Sequence, residues 1–342
     1  MIQIDGSIGE GGGQVLRSAL ALSVITRQAV NLTNIRARRS RPGLMPQHLK
    51  AVDAAAAVSS ASVTGAGLGS TSLEFQPAQI RSGRYKFDIG TAGATTLVLQ
   101  TIFLPLSLAS SASTVIITGG THVPWSPSFH FLDFHWLPYL QQAGYQAQLS
   151  LDLAGFYPPG GGRISAVIRP TGRIDSLHLL QRGELVRIQG LSAVANLDLS
   201  IADRQKRQAL RRLENLHLPA KIKTIQLPSH NKGTLLLLLA EFESGRACYF
   251  ALGELGKPAE RVADEAVDAL EAFLATDGAI DQYLADQLLL PLSLSSSPSE
   301  FRTSQVTQHL LTNAEIVKAF LPVQMEIQGE AGQPGLVRIW PG

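Results

Sequence analysis

Cysteine is nearly absent: the 342-residue chain has one, Cys248. That excludes an internal disulfide framework and fits a reducing compartment, with the cytoplasm as the expected location. Charge is scarce too. Asp, Glu, Lys and Arg make up 16% of the residues, against about a quarter in ordinary globular chains. The formal net charge is only +2, so no global field draws the chain onto nucleic acid and any anion site has to be local. The opening MIQIDGSIGEGG has neither a basic n-region nor an apolar h-region and does not read as a signal peptide. From 89 to 132 there is no Asp, Glu, Lys or Arg at all. The most apolar part, 97–108, is broken by Gln100 and Pro105 and falls well short of the roughly 20 apolar residues of a membrane span. It reads as a helix buried in a core, and no membrane partner is expected.

Several motifs are missing as well. No G-x-x-x-x-G-K-[ST] occurs, which excludes a P-loop. In GEGGGQ at 9–14 the third glycine of a dinucleotide fingerprint would fall on Gln14. The K-x-D-G motif of lysine-type nucleotidyl transferases fails because Ile89 follows Lys86, Phe87 and Asp88, and YKFDI reads as a strand. His130 and His135 flank Asp133, but the spacing fits no zinc motif.

What is present points to two domains, and the length suffices for both to bury a core. Of the 29 basic and 27 acidic residues, 25 lie in residues 181–275. A charge-rich block inside a charge-poor chain suggests a smaller domain at 181–275 inserted into a larger one formed by 1–180 and 276–342. Within the block, helical patterns run over 202–216 and 259–275, and apolar strand candidates over 234–240 and 247–252. The larger part repeats itself. LPLSLASSAS at 104–113 returns as LPLSLSSSPS at 290–299, and the segment around Asp5 is echoed around Asp88. In each copy a Gly-rich or polar turn leads into an apolar helix and then a β-branched strand, as in a supersecondary unit reused around one core. This alignment puts Arg17, Gln100 and Asp286 at matching points of apolar helices, which makes sense if the three helices face one site.

Four segments can carry chemistry. GEGGGQ before an apolar helix offers close backbone approach and free N–H groups to an anion, or simply a turn and a helix start. Its Glu10 suits a hard divalent cation, Mg²⁺ or Mn²⁺, or equally the favourable end of a helix dipole. IRARRSRPGL at 35–44 packs Arg36, Arg38, Arg39 and Arg41 into six residues. Such forks suit phosphate oxygens, and the scarcity of charge elsewhere favours binding over a merely solvated loop. In QYLADQLLLPLSL, Asp286 and Gln287 sit in an apolar helix about one turn after Tyr283. In VTQHLLTN, His309 precedes a helix-start signal, with Thr312 or Asn313 expected as the cap.

Together with GTAGATTLVLQT, GGTHVPWSP and FYPPGGG, these motifs resemble the RNA 3'-terminal phosphate cyclase family. They run from residue 5 to about 320 and cover nearly all of the larger part. The resemblance implies an α/β (α+β) fold, with three βαβαββ units in the large domain and a thioredoxin-like α/β insert. It implies that ATP is attacked by a histidine to give histidyl-AMP and pyrophosphate. AMP then moves to an RNA 3'-phosphate, the vicinal 2'-OH attacks, and a 2',3'-cyclic phosphate remains. Carried onto this chain, His309 is the nucleophile and Glu10 holds the divalent metal. Arg17 contacts the triphosphate. Arg36, Arg39, Gln47 and His48 contact the triphosphate or the RNA 3'-phosphate. Gln100 and the run Tyr283, Leu284, Ala285, Asp286 and Gln287 line the ATP site. Tyr283 and Pro127 would sandwich the adenine, and Asp286 would orient the imidazole. An enolpyruvyl-type transferase would account for the arginines but not for TQHLLTN. A non-enzymatic RNA-binding protein would not need His309.

Overall fold

A computed structural model describes all 342 residues. It is a mixed α/β structure with four four-stranded sheets. The first unit comprises β1 (Ile2–Asp5), α1 (Gly13–Thr26), β2 (Val30–Thr33), α2 (Pro46–Ser59), β3 (Ser62–Thr64) and β4 (Leu73–Gln76). The second has β5 (Arg84–Asp88), α3 (Thr95–Ser107) and β6 (Ser113–Gly119). Next come α4 (Phe129–Phe131), a π-turn at Leu132–Trp136 and α5 (Leu137–Gln142), and then β7 (Gln146–Leu153) and β8 (Gly162–Arg169). The third opens with β9 (His178–Leu179) and is interrupted by β10 (Leu185–Ala195), α6 (Leu199–Asn215), β11 (Ala220–Gln226), β12 (Gly233–Phe242), β13 (Arg246–Leu252) and α7 (Ala259–Leu274). It resumes with α8 (Gln282–Leu292), β14 (Ser299–Thr303), α9 (Gln308–Phe320), β15 (Gln324–Gln328) and β16 (Gly335–Trp340).

The three units share one strand order. It is β1-β2-β4-β3 in the first, β5-β6-β8-β7 in the second and β9-β14-β16-β15 in the third. Each begins with a parallel pair and finishes antiparallel. The sequence echoes fall on equivalent places. Pro105 and Pro291 lie in the last turns of α3 and α8. Asp5 and Asp88 each end a first strand, and each accepts a backbone N–H two residues on, from Ser7 at 2.8 Å and Gly90 at 2.9 Å. The charge-free stretch forms α3, β6 and α4, and its most apolar part lies in α3, which is almost wholly buried. No helix is long and apolar enough to cross a membrane.

The strand patterns follow their burial. β6 alternates, with Ser113, Val115, Ile117 and Gly119 inward, as a strand covered on one face should. β12 instead reads as a continuous leucine run because both faces are covered. Leu236 and Leu238 join the core under α6 and α7, while Leu235 and Leu237 join the main core. The two helices and two strands expected in the block are present. β10 and β11 were not expected: unlike β12 and β13 they carry no continuous apolar run, only Ile188 and Ile222 between polar neighbours.

Candidate active site

The site gathers where α1, α3, α8 and α9 meet; α1 packs against α3 and α9, and α8 against α9. The loop before α1 turns through left-handed glycines, among them Gly11 (φ 55°), where a Cβ would strike the Arg38 side chain. A Cβ on Gly13 would collide with the His48 ring and the Arg17 guanidinium. The glycines thus let the loop lie against the basic segment. Arg38 Nη1 donates to the Gly9 carbonyl at 2.7 Å, and Arg39 Nη2 pairs with Glu10 Oε2 at 3.3 Å.

His309 sits in the first turn of α9, which begins a turn earlier than expected. Thr307 is the cap, its hydroxyl accepting the Leu310 N–H at 3.1 Å. Thr312 and Asn313 are otherwise engaged. Thr312 donates to the Gln308 carbonyl, and Asn313 bridges Ser18 Oγ and the Asp286 carbonyl.

Gln14 decides the state of the imidazole. Its amide nitrogen donates to Asp286 Oδ2 at 2.7 Å and to the His309 carbonyl at 3.2 Å. A main-chain carbonyl only accepts, so Gln14 Oε1 must face the ring, and it lies 2.6 Å from His309 Nδ1. The neutral imidazole therefore carries its proton on Nδ1 and a free lone pair on Nε2. Burial, with Arg17 and Arg39 nearby, holds the His309 pKa below the usual 6.5, against the pull of Glu10. Nε2 lies 3.1 Å from Glu10 Oε2 at the open side of the site. Asp286 was expected to orient the imidazole directly; Gln14 stands between them. In the sequence Gln14 shows only as the residue that spoils a dinucleotide fingerprint, and nothing local to it signals this role.

The family of RNA 3'-terminal phosphate cyclases matches residues 8–327. The chain belongs to that family. It is 41% identical to the RNA 3'-terminal phosphate cyclase of Gloeothece citriformis, over 100% of this chain and 99% of that one. It is 44% identical to the cyclase of Koribacter versatilis over 96% and 92% of the two chains, and 40% identical to that of Archaeoglobus fulgidus over 96% and 98%. A solved enolpyruvyl transferase, NikO from Streptomyces tendae, aligns over 99% of this chain and 65% of its own at 9% identity and TM-score 0.27, too slight a likeness to bear on fold or function.

The remaining residues expected in a cyclase of this family divide by what holds them. Arg17 and Asp286 are both half-buried near His309 and linked to it, Arg17 through its charge and Asp286 through Gln14. Burial lowers Arg17 to about 10 and raises Asp286 to about 7, each opposed by the other's charge. Gln100 donates to Gln287 at 2.6 Å, tying α3 to α8. Leu284 and Ala285 are buried and offer only backbone. Tyr283 is exposed, its ring edge-on to Tyr249 at 6.2 Å, and the Pro127 carbonyl accepts from Thr96 Oγ1 at 2.8 Å. Three of the expected phosphate contacts have structural partners already. Gln47 Oε1 accepts the Ala94 N–H at the start of α3. Arg36 Nη1 donates to the Arg41 and Gly43 carbonyls, closing the basic loop. His48 Nδ1 accepts the Met45 N–H, and burial with Arg17 and Arg36 nearby drops its pKa to about 3, so its ring is neutral.

No three His, Cys, Asp or Glu side chains converge anywhere. A divalent cation at Glu10 would have one protein carboxylate and would complete its shell with phosphate and water. That is the ordinary habit of Mg²⁺ beside a nucleotide, so the residues fit the ion.

Proposed function

We propose that the chain converts an RNA 3'-terminal phosphate into a 2',3'-cyclic phosphate with consumption of ATP, through AMP carried on His309. The observation that supports this most is the Gln14 hydrogen-bond pattern, which puts the proton of the neutral His309 ring on Nδ1 and its lone pair on Nε2. The 3.1 Å contact of Nε2 with Glu10 is a hydrogen bond only while the ring is protonated. Nε2 attacks the α-phosphorus of ATP, the bond to the β-phosphate oxygen breaks, and pyrophosphate leaves. As Nε2 bonds to phosphorus the ring becomes cationic. Its Nδ1–H is then held by Gln14, itself held by Asp286. An oxygen of the RNA 3'-phosphate next attacks the same phosphorus and the P–N bond breaks, giving RNA(3')pp(5')A. The vicinal 2'-OH attacks the RNA phosphorus, and AMP departs.

Nucleotidyl transfer needs positioning and charge neutralisation more than acid–base power. Arg17 and Arg39, whose charges both reach His309, would meet the phosphates, joined by the loop N–H groups at the start of α1. Arg36, Gln47 and His48 would act chiefly by building the loop and helix start that present those groups. Tyr283 and Pro127 would bracket the adenine, with Gln100, Asp286 and Gln287 lining the nucleotide. Glu10 would hold Mg²⁺ or Mn²⁺, whose charge would stabilise the departing pyrophosphate. Residues 1–180 with 276–342 would form the catalytic body and 181–275 the inserted unit, working in the cytoplasm.

Intact-mass analysis after incubation with ATP and a divalent metal tests the reading. The expected result is a gain of one AMP, acid-labile and absent from His309→Asn. No adduct in a protein shown to bind ATP would sink it.

A further inference from the structure

Away from His309, the insert's sheet has a face that the body covers only in part. Near the middle of β10 and β12, Leu191, Ala193, Leu235 and Leu237 are sealed into the main core. Further along the same strands the cover ends, and a cleft of about 810 Å³ opens between the sheet and the segment that carries Asp133, Phe134 and Pro138. That volume lies in the range of ligand clefts. Its floor is apolar at the half-buried Leu239, and Val186 and Phe134 beside it are 61% and 36% exposed.

The charges around it are one-sided. Arg187, Lys221, Lys223 and Arg246 line the cleft, against Asp133 and Glu241. Glu241 is already engaged by Arg187 and by Gln189. Lys221 and Lys223 are both exposed and lie two apart on β11, an edge strand. They share the face opposite Ile222, whose side chain is buried under α6 and α7. These two lysines make no ion pair, whereas α6 and α7 are joined by the pairs of Arg204 and Arg212.

Phosphates in a row with bases between them fit such a surface: evenly spaced ammonium groups along one strand, an apolar floor and one exposed aromatic ring. The segment that walls the cleft is tied to α8: His135, next to Phe134, bonds Asp281, the cap of α8, at 2.5 Å.

We infer that this cleft holds the single-stranded body of the RNA, the nucleotides upstream of the reacting 3' end, so that the insert acts as a strand-binding platform. The inference rests on the reading of RNA as the substrate. Lys221 and Lys223 take backbone phosphates, and Phe134 gives a base a stacking face. Asp133, whose pKa burial raises, is the one unpaired carboxylate there and weakens the grip.

The test is fluorescence anisotropy with a labelled 20-nucleotide RNA ending in a 3'-hydroxyl, without ATP, as a function of salt. The Lys221→Glu, Lys223→Glu double variant is expected to bind at least tenfold more weakly at low salt. The neutral double variant, Lys to Gln, is expected to flatten the log–log salt slope by about 1.4, since each phosphate left without its lysine accounts for about 0.7. Asp133→Asn is expected to bind more tightly. Melting temperature checks folding, which exposed lysines without partners should not disturb. Unchanged affinity and slope in both double variants would overturn the inference. So would loss of binding to an acidic peptide with RNA binding intact, which would assign the cleft to a protein. Because the assay uses neither ATP nor a 3'-phosphate, its failure and the failure of histidyl-AMP formation are separate results.

Discussion

The three-unit body and the insert use charge in opposite ways. In the insert, α6 and α7 carry charge on the surface in pairs. Arg204 grips Glu260 with two bonds of 2.7 and 2.8 Å, and Arg212 reaches Asp264, Asp268 and Glu271, all between α6 and α7. In the body, charge is rarer, and four of its groups, Glu10, Arg17, Arg39 and Asp286, lie around the imidazole of His309. Exposed pairs in water are worth little, since screening and side-chain entropy offset the attraction. Half-buried groups held by a hydrogen-bond relay shift one another's protonation and define which atom reacts. Abundant charge in α6 and α7 marks a solvated face, while the scarcer charge of the body supplies the groups around His309.

Four perturbations would sharpen or break that contrast, in descending order of effect. Gln14→Leu removes the group that fixes the His309 tautomer without touching the nucleophile. AMP transfer should fall on the order of 10²–10³-fold, as when a tautomer-holding partner is lost elsewhere. Single-turnover rates measure it, and a rate close to that of the parent would dismiss the relay. Glu10→Gln should raise the divalent-metal concentration needed for half-maximal adduct formation by roughly 10–100-fold. An unchanged metal titration would take the cation away from Glu10.

Acid should destabilise the body. Burial lowers His130 to about 4 and His48 to about 3. The unfolded chain takes up these protons near pH 6.5, while the folded rings resist until well below it. Their contribution is therefore complete above pH 6.5 and lost as pH falls. At pH 5 His130 alone accounts for about 2 kcal/mol. Asp286, raised to about 7, works the other way, because the folded state keeps a proton that the unfolded chain releases above about 4. It offsets part of the loss. Melting temperatures between pH 7.5 and 4.5 should fall steeply, and a flat profile would contradict buried neutral histidines. Smallest of all, Arg212→Ala should cost less than about 1 kcal/mol despite removing three ion pairs. A much larger loss by denaturant titration would show that the insert's charges carry structure after all.

Much of the fold was legible from residues alone. The Leu-Ser echoes and the two aspartates marked equivalent helices and strand ends, because a repeated unit must bury the same face at the same place. The insert's helices showed in their amphipathic spacing. Its strands β10 and β11 were not singled out, although Arg187-Ile188-Gln189 and Lys221-Ile222-Lys223 do alternate polar and apolar residues: the runs are short and lack the continuous apolar stretch that marks β12 and β13.

The sequence by itself determined the class of fold, the residue types available for chemistry and the segments carrying them, because periodicity and composition are local properties. It also carried the family motifs that cover nearly the whole chain. Only the tertiary structure decided which atoms meet. Gln14 and His309 lie 295 residues apart, and Asp286 reaches Gln14 across 272. The helix start falls at Thr307, and Asn313 is engaged by partners in two other helices. A tautomer, a cap and an uncovered sheet face all depend on what lies opposite, and that is fixed only when distant segments pack.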